Sequence, residues 1–443
     1  MTTRLALLAA AAAAAMGAVP AHAQADQSVQ EFRRQIDALR QQVEALQRRV
    51  AAASAPASGP STSDRLDQVE LKQQDAVTAG DTAGSFRLPG SDTSIHLYGY
   101  AETHALRDFQ SWGAPDNFSN LPGQSLPGDG SGAQLKGRTK FTAETSRFGI
   151  DTSTPTSHGP FNTKIEADFY AYGPDSRNRL RLRHAYGEYA GWLVGQTWGT
   201  FMDLDDTTET VDFNAQIGVP FTRRAMIRYT WGDAKAGDKF TFAAEDPQDQ
   251  YNLGVDPSVA TSSVNERMPN LVARYDQAFD WGGVNVRALT HEKRSPLGNS
   301  RRGYGLGVGG NYKLTENDLV MFTVARVDGD FDNMIGSNGY WIDGSQIMFD
   351  RNVGFALGWN RNFGDSLRAN VSYEENRAHL DGAMKAALGG SANHRLQQVH
   401  AGAIYTLMKN VELGAEYLWG RRETYGDGVG RLSRLDLMGR YSF

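Results

Sequence analysis

The 443 residues include no cysteine and carry a formal net charge of −6, which excludes disulfide scaffolds, thiolate metal sites and cysteine nucleophiles and argues against a nucleic-acid partner. Hydrophobic residues make up only 40% of the chain, and beyond its first two dozen positions no apolar run approaches the roughly 20 residues that a membrane-spanning helix requires. A membrane β-barrel is untouched by that test, because its outward and inward side chains alternate and cancel in any hydropathy average.

Residues 1–23 read as a secretory signal: Arg4 opens the segment, an alanine- and leucine-rich run follows, and Ala21-His22-Ala23 supplies the small-x-small cleavage site. Residues 24–53 then change to heptads, with Val29, Phe32, Ile36, Leu39, Val43, Leu46 and Val50 spaced alternately by 3 and 4. That spacing predicts an N-terminal α-helical coiled coil that joins copies of the chain. β-branched residues at one seam position and Leu at the other favour two strands, but Phe32 breaks the rule, so the seam alone leaves the number of chains open. Residues 54–84 are rich in Ala, Ser and Pro at their start and read as a flexible linker, with Leu66, Val69 and Lys72 suggesting a second short helix.

From residue 85 to residue 443 the pattern becomes a series of alternating segments, about sixteen of them, separated by turn or loop residues. In Leu367 to Tyr373, Leu, Ala, Val and Tyr alternate with Arg, Asn and Ser, and Val411 to Trp419 repeats the scheme. Short connections fall at 313–317, 360–365 and 408–410, and long ones at 109–136, 247–269, 328–346 and 381–393. The last stretch, RLSRLDLMGRYSF, places Leu435, Leu437, Gly439, Tyr441 and Phe443 on one face and Arg434, Asp436, Met438 and Arg440 on the other. A strand with lipid on one side and water on the other needs such faces. The expected fold is therefore an all-β transmembrane barrel of about 16 antiparallel strands preceded by the coiled coil. The first strand is the least determined in register, since Ile95 and Leu97 compete with His96, Tyr98 and Tyr100 for the outer face.

Within such a barrel the sharpest chemical signal is a ladder of arginines. Arg179, Arg181 and Arg183 alternate with leucines and must face water; Arg224 and Arg228 on a later strand, and Arg147 on an earlier one, follow the same parity. Guanidinium groups stay charged and present a fork that fits carboxylate or phosphate, so a row of them draws anions along a pore. The bland alternative is that Glu166, Asp168 and Glu188 neutralise the row and the pairs merely fill the interior. The counterpart is FMDLDDTTETVDF at 201–213, which carries Asp203, Asp205, Asp206, Glu209 and Asp212 after the fifth segment; by itself it fits a solvated acidic loop at the rim or a cation site at the mouth.

Other signatures carry little. Gly305 to Gly310 satisfies a dinucleotide-binding spacing but sits inside a strand with no helix after it. Asp328 to Asn333 begins like a calcium loop but lacks the turn glycine and the final glutamate, leaving a polar loop as the stronger reading. The 9 histidines form no ligand spacing, so no metal or other cofactor is assigned. No nucleophile motif points to an enzyme.

Five stretches carry a family likeness: SFRLPGSDTSIHLYGY at 85–100, RLRHAYGEY at 181–189, GQTWGTFMD at 195–203, ETVDF at 209–213 and LVARYD at 271–276. On these the chain resembles the DcaP-like trimeric outer-membrane porins, over nearly its whole length. The resemblance implies sixteen strands, a homotrimer, an acidic third loop folded into the lumen as a constriction opposite the arginines, and passage of small anions such as dicarboxylates. The implied surroundings are the lipid bilayer and lipopolysaccharide of the bacterial outer membrane. The expected function is a passive diffusion porin; a phosphate or polyphosphate channel, a barrel hydrolase and a closed envelope anchor are its rivals.

Overall fold

The computed structural model describes residues 37–38, 40–49, 77–111, 118–124, 126, 136–172, 178–214, 216–233, 237–247, 266–343 and 345–443. They belong to two units, 1–76 and 77–443. In the first, the described residues are helical and exposed, including the seam positions Val43 and Leu46. The signal, the other heptad positions and the suggested second helix lie outside the described residues.

The second unit is a closed antiparallel cylinder. Its first four strands are β1 (Ser94–Gln110), β2 (Thr139–Thr142, resuming at Arg147–Thr154), β3 (Phe161–Tyr172) and β4 (Asn178–Tyr189). Next come β5 (Trp192–Trp198), β6 (Arg223–Asp233), β7 (Asp238–Glu245) and β8 (Asn270–Phe279). The second half is β9 (Gly282–Arg294), β10 (Ser300–Lys313), β11 (Asp318–Asp328) and β12 (Arg351–Phe363), then β13 (Leu367–His379), β14 (Asn393–Met408), β15 (Val411–Thr424) and β16 (Val429–Ser442). Each strand pairs with its sequence neighbours, and β16 returns to β1, with Leu437 opposite Ala105 and Ser442 opposite Tyr100. A short ribbon, Thr78–Ala79 against Phe86–Arg87, is added to the start of β1.

The alternation read from the sequence is what closes the cylinder without an edge. On β15, Leu413 and Tyr417 are 46% and 43% exposed, while Glu416 and Leu418 are each 1% exposed. The usual core is inverted: apolar side chains cover the outside, and Arg224, Arg287 and Arg434 are among the largest fully buried groups inside. At one rim the turns are tight, as at Ala190 and Gly191, whose φ of 48° and 85° suit a two-residue hairpin. Outside that rim the rings of Trp231, Phe240 and Tyr275 form a continuous chain, and those of Phe279, Trp281 and Tyr312 form another, as an interfacial girdle does. The opposite rim carries the long connections, including a hairpin (Tyr340–Asp343 with Gln346–Phe349) and one helix, α1 (Gly382–Leu388), capped by the Asp381 side chain.

The first-strand ambiguity is resolved by contacts. The Tyr98 hydroxyl donates to Glu166 at 3.0 Å across the interior, and Leu97 is 53% exposed, so the even-numbered residues of β1 face inward.

Candidate functional site: the lumen and its crossing loop

Strands β2 to β4 build one inner wall. Register sets Arg147 opposite Asp168, and Asp168 opposite Arg181. Arg181 grips Asp168 with both arms of its fork, Nε to Oδ1 at 3.0 Å and Nη2 to Oδ2 at 2.7 Å. Arg183 donates to Glu166 at 2.7 Å and to Asp168 at 2.9 Å, and Arg147 lies 3.4 Å from Glu166. Three guanidinium groups thus share two carboxylates. A register shift between Glu166 and Ala167 on β3 makes a bulge in β4, which turns both Arg183 and His184 inward, a departure from period two that the sequence does not announce.

Aromatic faces hold the same cations. Arg181 lies 4.9 Å from the Tyr170 ring centre, Arg147 5.0 Å from that of Tyr100, and Arg223 4.3 Å from that of Trp198. Phe213 from the crossing loop packs over Arg181 and Arg183 at 5.6 and 5.8 Å. Together with Arg440 these groups line a cavity of about 710 Å³.

The connection 199–222 leaves β5 and travels inside the cylinder. Asp203 accepts from Asn285 at 2.9 Å and lies 3.3 Å from Arg287, and Asp206 accepts from Asn285 and Asn311, each at 2.6 Å. Arg287 also donates to the Phe201 carbonyl at 3.0 Å. Farther along, Glu209 takes two hydrogen bonds from Arg368 on β13, at 2.7 and 2.9 Å. The Val211 and Asp212 amides both donate to Glu416 on β15 at 2.9 Å, and Asp212 accepts from the Ser119 amide at 2.8 Å. β13 is halfway round the sequence of strands from β5, so the connection crosses the bore. Burial and the adjacent Asp203 carboxylate push the Asp206 carboxyl, which belongs to this connection and not to a strand, up to about 7.

Glycines on the inner wall make room for it. A Cβ on Gly309 would come within 1.9 Å of an Asp203 oxygen, and one on Gly358 within 1.6 Å of the Thr208 hydroxyl. The glycine run 305–310, discounted as a nucleotide motif, is part of the bed on which the loop lies.

The expected site residues therefore separate. Arg147, Arg181 and Arg183 share the cavity with Glu209 and Asp212. Arg179 is exposed and outside the cavity lining, because it sits at the start of β4 near the rim. Arg224 keeps the inward parity but is 1% exposed and paired with Asp332 at 3.0 Å; a long connection covers it, which alternation along one strand cannot reveal. Arg228 is half-buried and outside that lining. Asp203 and Asp206 do not face the arginines of β4 but are bound to β9 and β10, and Asp205 is exposed. The polar loop at 328–333 spends its carboxylates internally: Asp332 holds Arg224, and Asp330 accepts from the Asn333 amide at 3.0 Å. Among the described residues no cluster fit to hold a metal occurs. Period-two reading missed Arg223, which covers Trp198 from a strand end, and Arg287, and it set Arg368 on the wet face without revealing that its partner comes from the loop. Arg440 was legible by parity alone.

Comparison with known proteins agrees with this geometry. The family model of the DcaP outer membrane protein matches residues 26–443. The crystal structure of the outer membrane channel DcaP of Acinetobacter baumannii is similar at 28% identity and a TM-score of 0.71, covering 83% of this chain and 100% of that one. An anion-selective porin from Comamonas acidovorans shares the fold at 12% identity and a TM-score of 0.52, covering 79% and 100% of the two chains. Salmonella typhi OmpF, solved with daunomycin, does so at 16% and 0.52, covering 79% and 98%. No curated protein matches the chain in sequence.

Proposed function

The chain belongs to the DcaP outer membrane protein family and is a channel of the bacterial outer membrane rather than an enzyme; from that premise we propose that it passes small anionic solutes, dicarboxylates among them, passively down their gradients. The observation that carries the reading is the wall of three guanidinium groups sharing two carboxylates, with Arg223 and Arg440 beside them. The acids that line the same cavity are each occupied: Glu102 by Arg440, Glu209 by Arg368, Asp332 by Arg224 and Asp212 by Ser119. A solute carboxylate would thus meet forked donors whose charge is not fully cancelled, held rigid against aromatic planes. The crossing loop would act as the constriction, with Glu209 and Asp212 opposite the arginines, so that a transverse field orders a charged solute.

We further propose that the protein works as a homotrimer, joined by the heptad-patterned stretch at 24–53 on the periplasmic side and by barrel contacts, within a bilayer whose outer leaflet is lipopolysaccharide. Single-channel recording across a salt gradient tests the central claim. Anion preference is expected, with succinate as a blocker at lower concentration than phosphate; phosphate blocking first would favour the phosphate-channel reading, and cation preference would refute both.

A further inference from the structure

The outer wall holds a second set of arginines that the lumen does not use. At the long-connection ends of six consecutive strands, β10 to β15, one arginine each faces away from the bore: Arg302, Arg326, Arg351, Arg377, Arg395 and Arg421. Their parity follows from register, since Arg326 and Arg377 both oppose Val353, an exposed apolar residue, while Asn352 beside it is buried inside. The side chains of Arg326 and Arg377 are 56% and 58% exposed. Toward the middle of the same strands the outer face turns apolar, through Tyr304 and Leu306, Phe322 and Val324, Leu357, Val371 and Tyr417.

Internal neutralisation is incomplete. Asp328, Glu375 and Glu423 are bonded within the row, Glu375 to both Arg377 and Arg395. Arg351 has no side-chain hydrogen bond or ion pair among the described residues, and Arg302 touches only the Thr290 hydroxyl at 3.5 Å. Register makes the excess worse: Arg377 directly opposes Arg395, and Arg421 directly opposes Arg431. Like charges facing each other across a strand pair are destabilising, so the row calls for anions from outside the chain. The other side of the cylinder lacks such a row among the described residues; near the same rim it exposes Phe169, Leu182, Phe242 and Leu271.

We propose that this belt is a docking site for the phosphorylated headgroup of an anionic glycolipid of the outer leaflet, the lipid A portion of lipopolysaccharide. Guanidinium forks engage its phosphates, and the apolar residues directly below contact its acyl chains. A tethered phosphate satisfies both layers at once, and several arginines act on one lipid; a free phosphate ion meets only exposed, screened charges.

The test uses the full-length protein purified in detergent and titrated with bisphosphorylated lipid A, with fully dephosphorylated lipid A and with inorganic phosphate. Binding is expected for the first, at least about tenfold tighter than for the second, and inorganic phosphate should not displace it. Arg351→Gln/Arg377→Gln/Arg395→Gln should weaken binding by about tenfold or more, while Lys313→Gln near the other rim leaves it unchanged. Arg351→Gln alone, at an exposed position without a partner, should weaken it by about threefold and covers the case in which the triple variant fails to assemble. Equal binding of the dephosphorylated lipid, displacement by inorganic phosphate, or wild-type affinity in the Gln variants overturns the proposal. Conductance and ion selectivity of Arg351→Gln should match wild type, which separates this outcome from any failure of the channel reading.

Discussion

Two buried carboxylates decide how the arginines of the lumen behave. Asp168 is fully buried beneath the forks of Arg181 and Arg183, so it both holds the guanidinium groups in place and cancels part of their charge. Arg181→Glu combined with Arg183→Glu is expected to abolish or reverse anion preference, read as the sign of the reversal potential in a salt gradient. Asp168→Asn should do the opposite, strengthening anion preference while lowering the unfolding temperature, since breaking one partner of a buried pair costs about 3–5 kcal/mol before relaxation. The Asp206 carboxyl has a pH consequence of its own. Its proton is held more tightly in the docked loop than in an unfolded chain, so docking is strongest below the ordinary carboxylate value and weakens steadily as pH rises from there to about 7. Current fluctuations should grow between about pH 4 and 7 and level off above that, and Asp206→Asn should make them independent of pH over that range. That Arg181, Arg183 and Arg224 face inward was legible from parity, but whether each was free or covered was not: Arg183 and Arg224 look alike in sequence, yet one borders the cavity and the other is sealed by Asp332.

The described residues of the connection 199–222 form no helix or strand, and its path is dictated by others. Hydrogen bonds to β9, β10, β13 and β15 hold it, and glycines on β10 and β12 leave the volume that it fills. Gly309→Val would drive a side chain into Asp203, and overpacking of this kind costs about 1–3 kcal/mol; the loop is expected to lift and single-channel conductance to rise. Leu306→Val on the same strand, pointing outward, should leave conductance as it is. The length and acidity of the stretch were plain in sequence, and the family likeness supplied its inward course. Its partners were not legible, because Arg368 and Asn285 lie far along the chain and only closure of the cylinder brings them near.

For the whole molecule, stability rests on the seam where the last strand meets the first. The Phe443 amide donates to the Gly99 carbonyl at 2.9 Å and the Gly99 amide to the Phe443 carbonyl at 3.1 Å, and a Cβ on Gly99 would fall 2.8 Å from the Phe443 ring. Removing Phe443, or Gly99→Val, should lower the temperature at which the folded form shifts to the unfolded form on a detergent gel, because an open seam leaves unpaired backbone groups in lipid. Deleting residues 24–53 should leave that temperature for the single barrel near wild type and reduce the proportion of trimer in a cross-linking assay; unchanged trimer would assign assembly to the barrel wall alone.

Composition and side-chain parity were enough to indicate a cylinder of about sixteen strands with greasy outside, charged inside and one rim of short turns, since those properties depend on which face each residue takes along its own strand. What only the tertiary structure decided is which charges meet: the sharing of Asp168 and Glu166 among three arginines, the burial of Arg224 and the partners that hold 199–222 across the bore. Those are contacts between residues distant in sequence, and their geometry exists only after the first and last strands have paired.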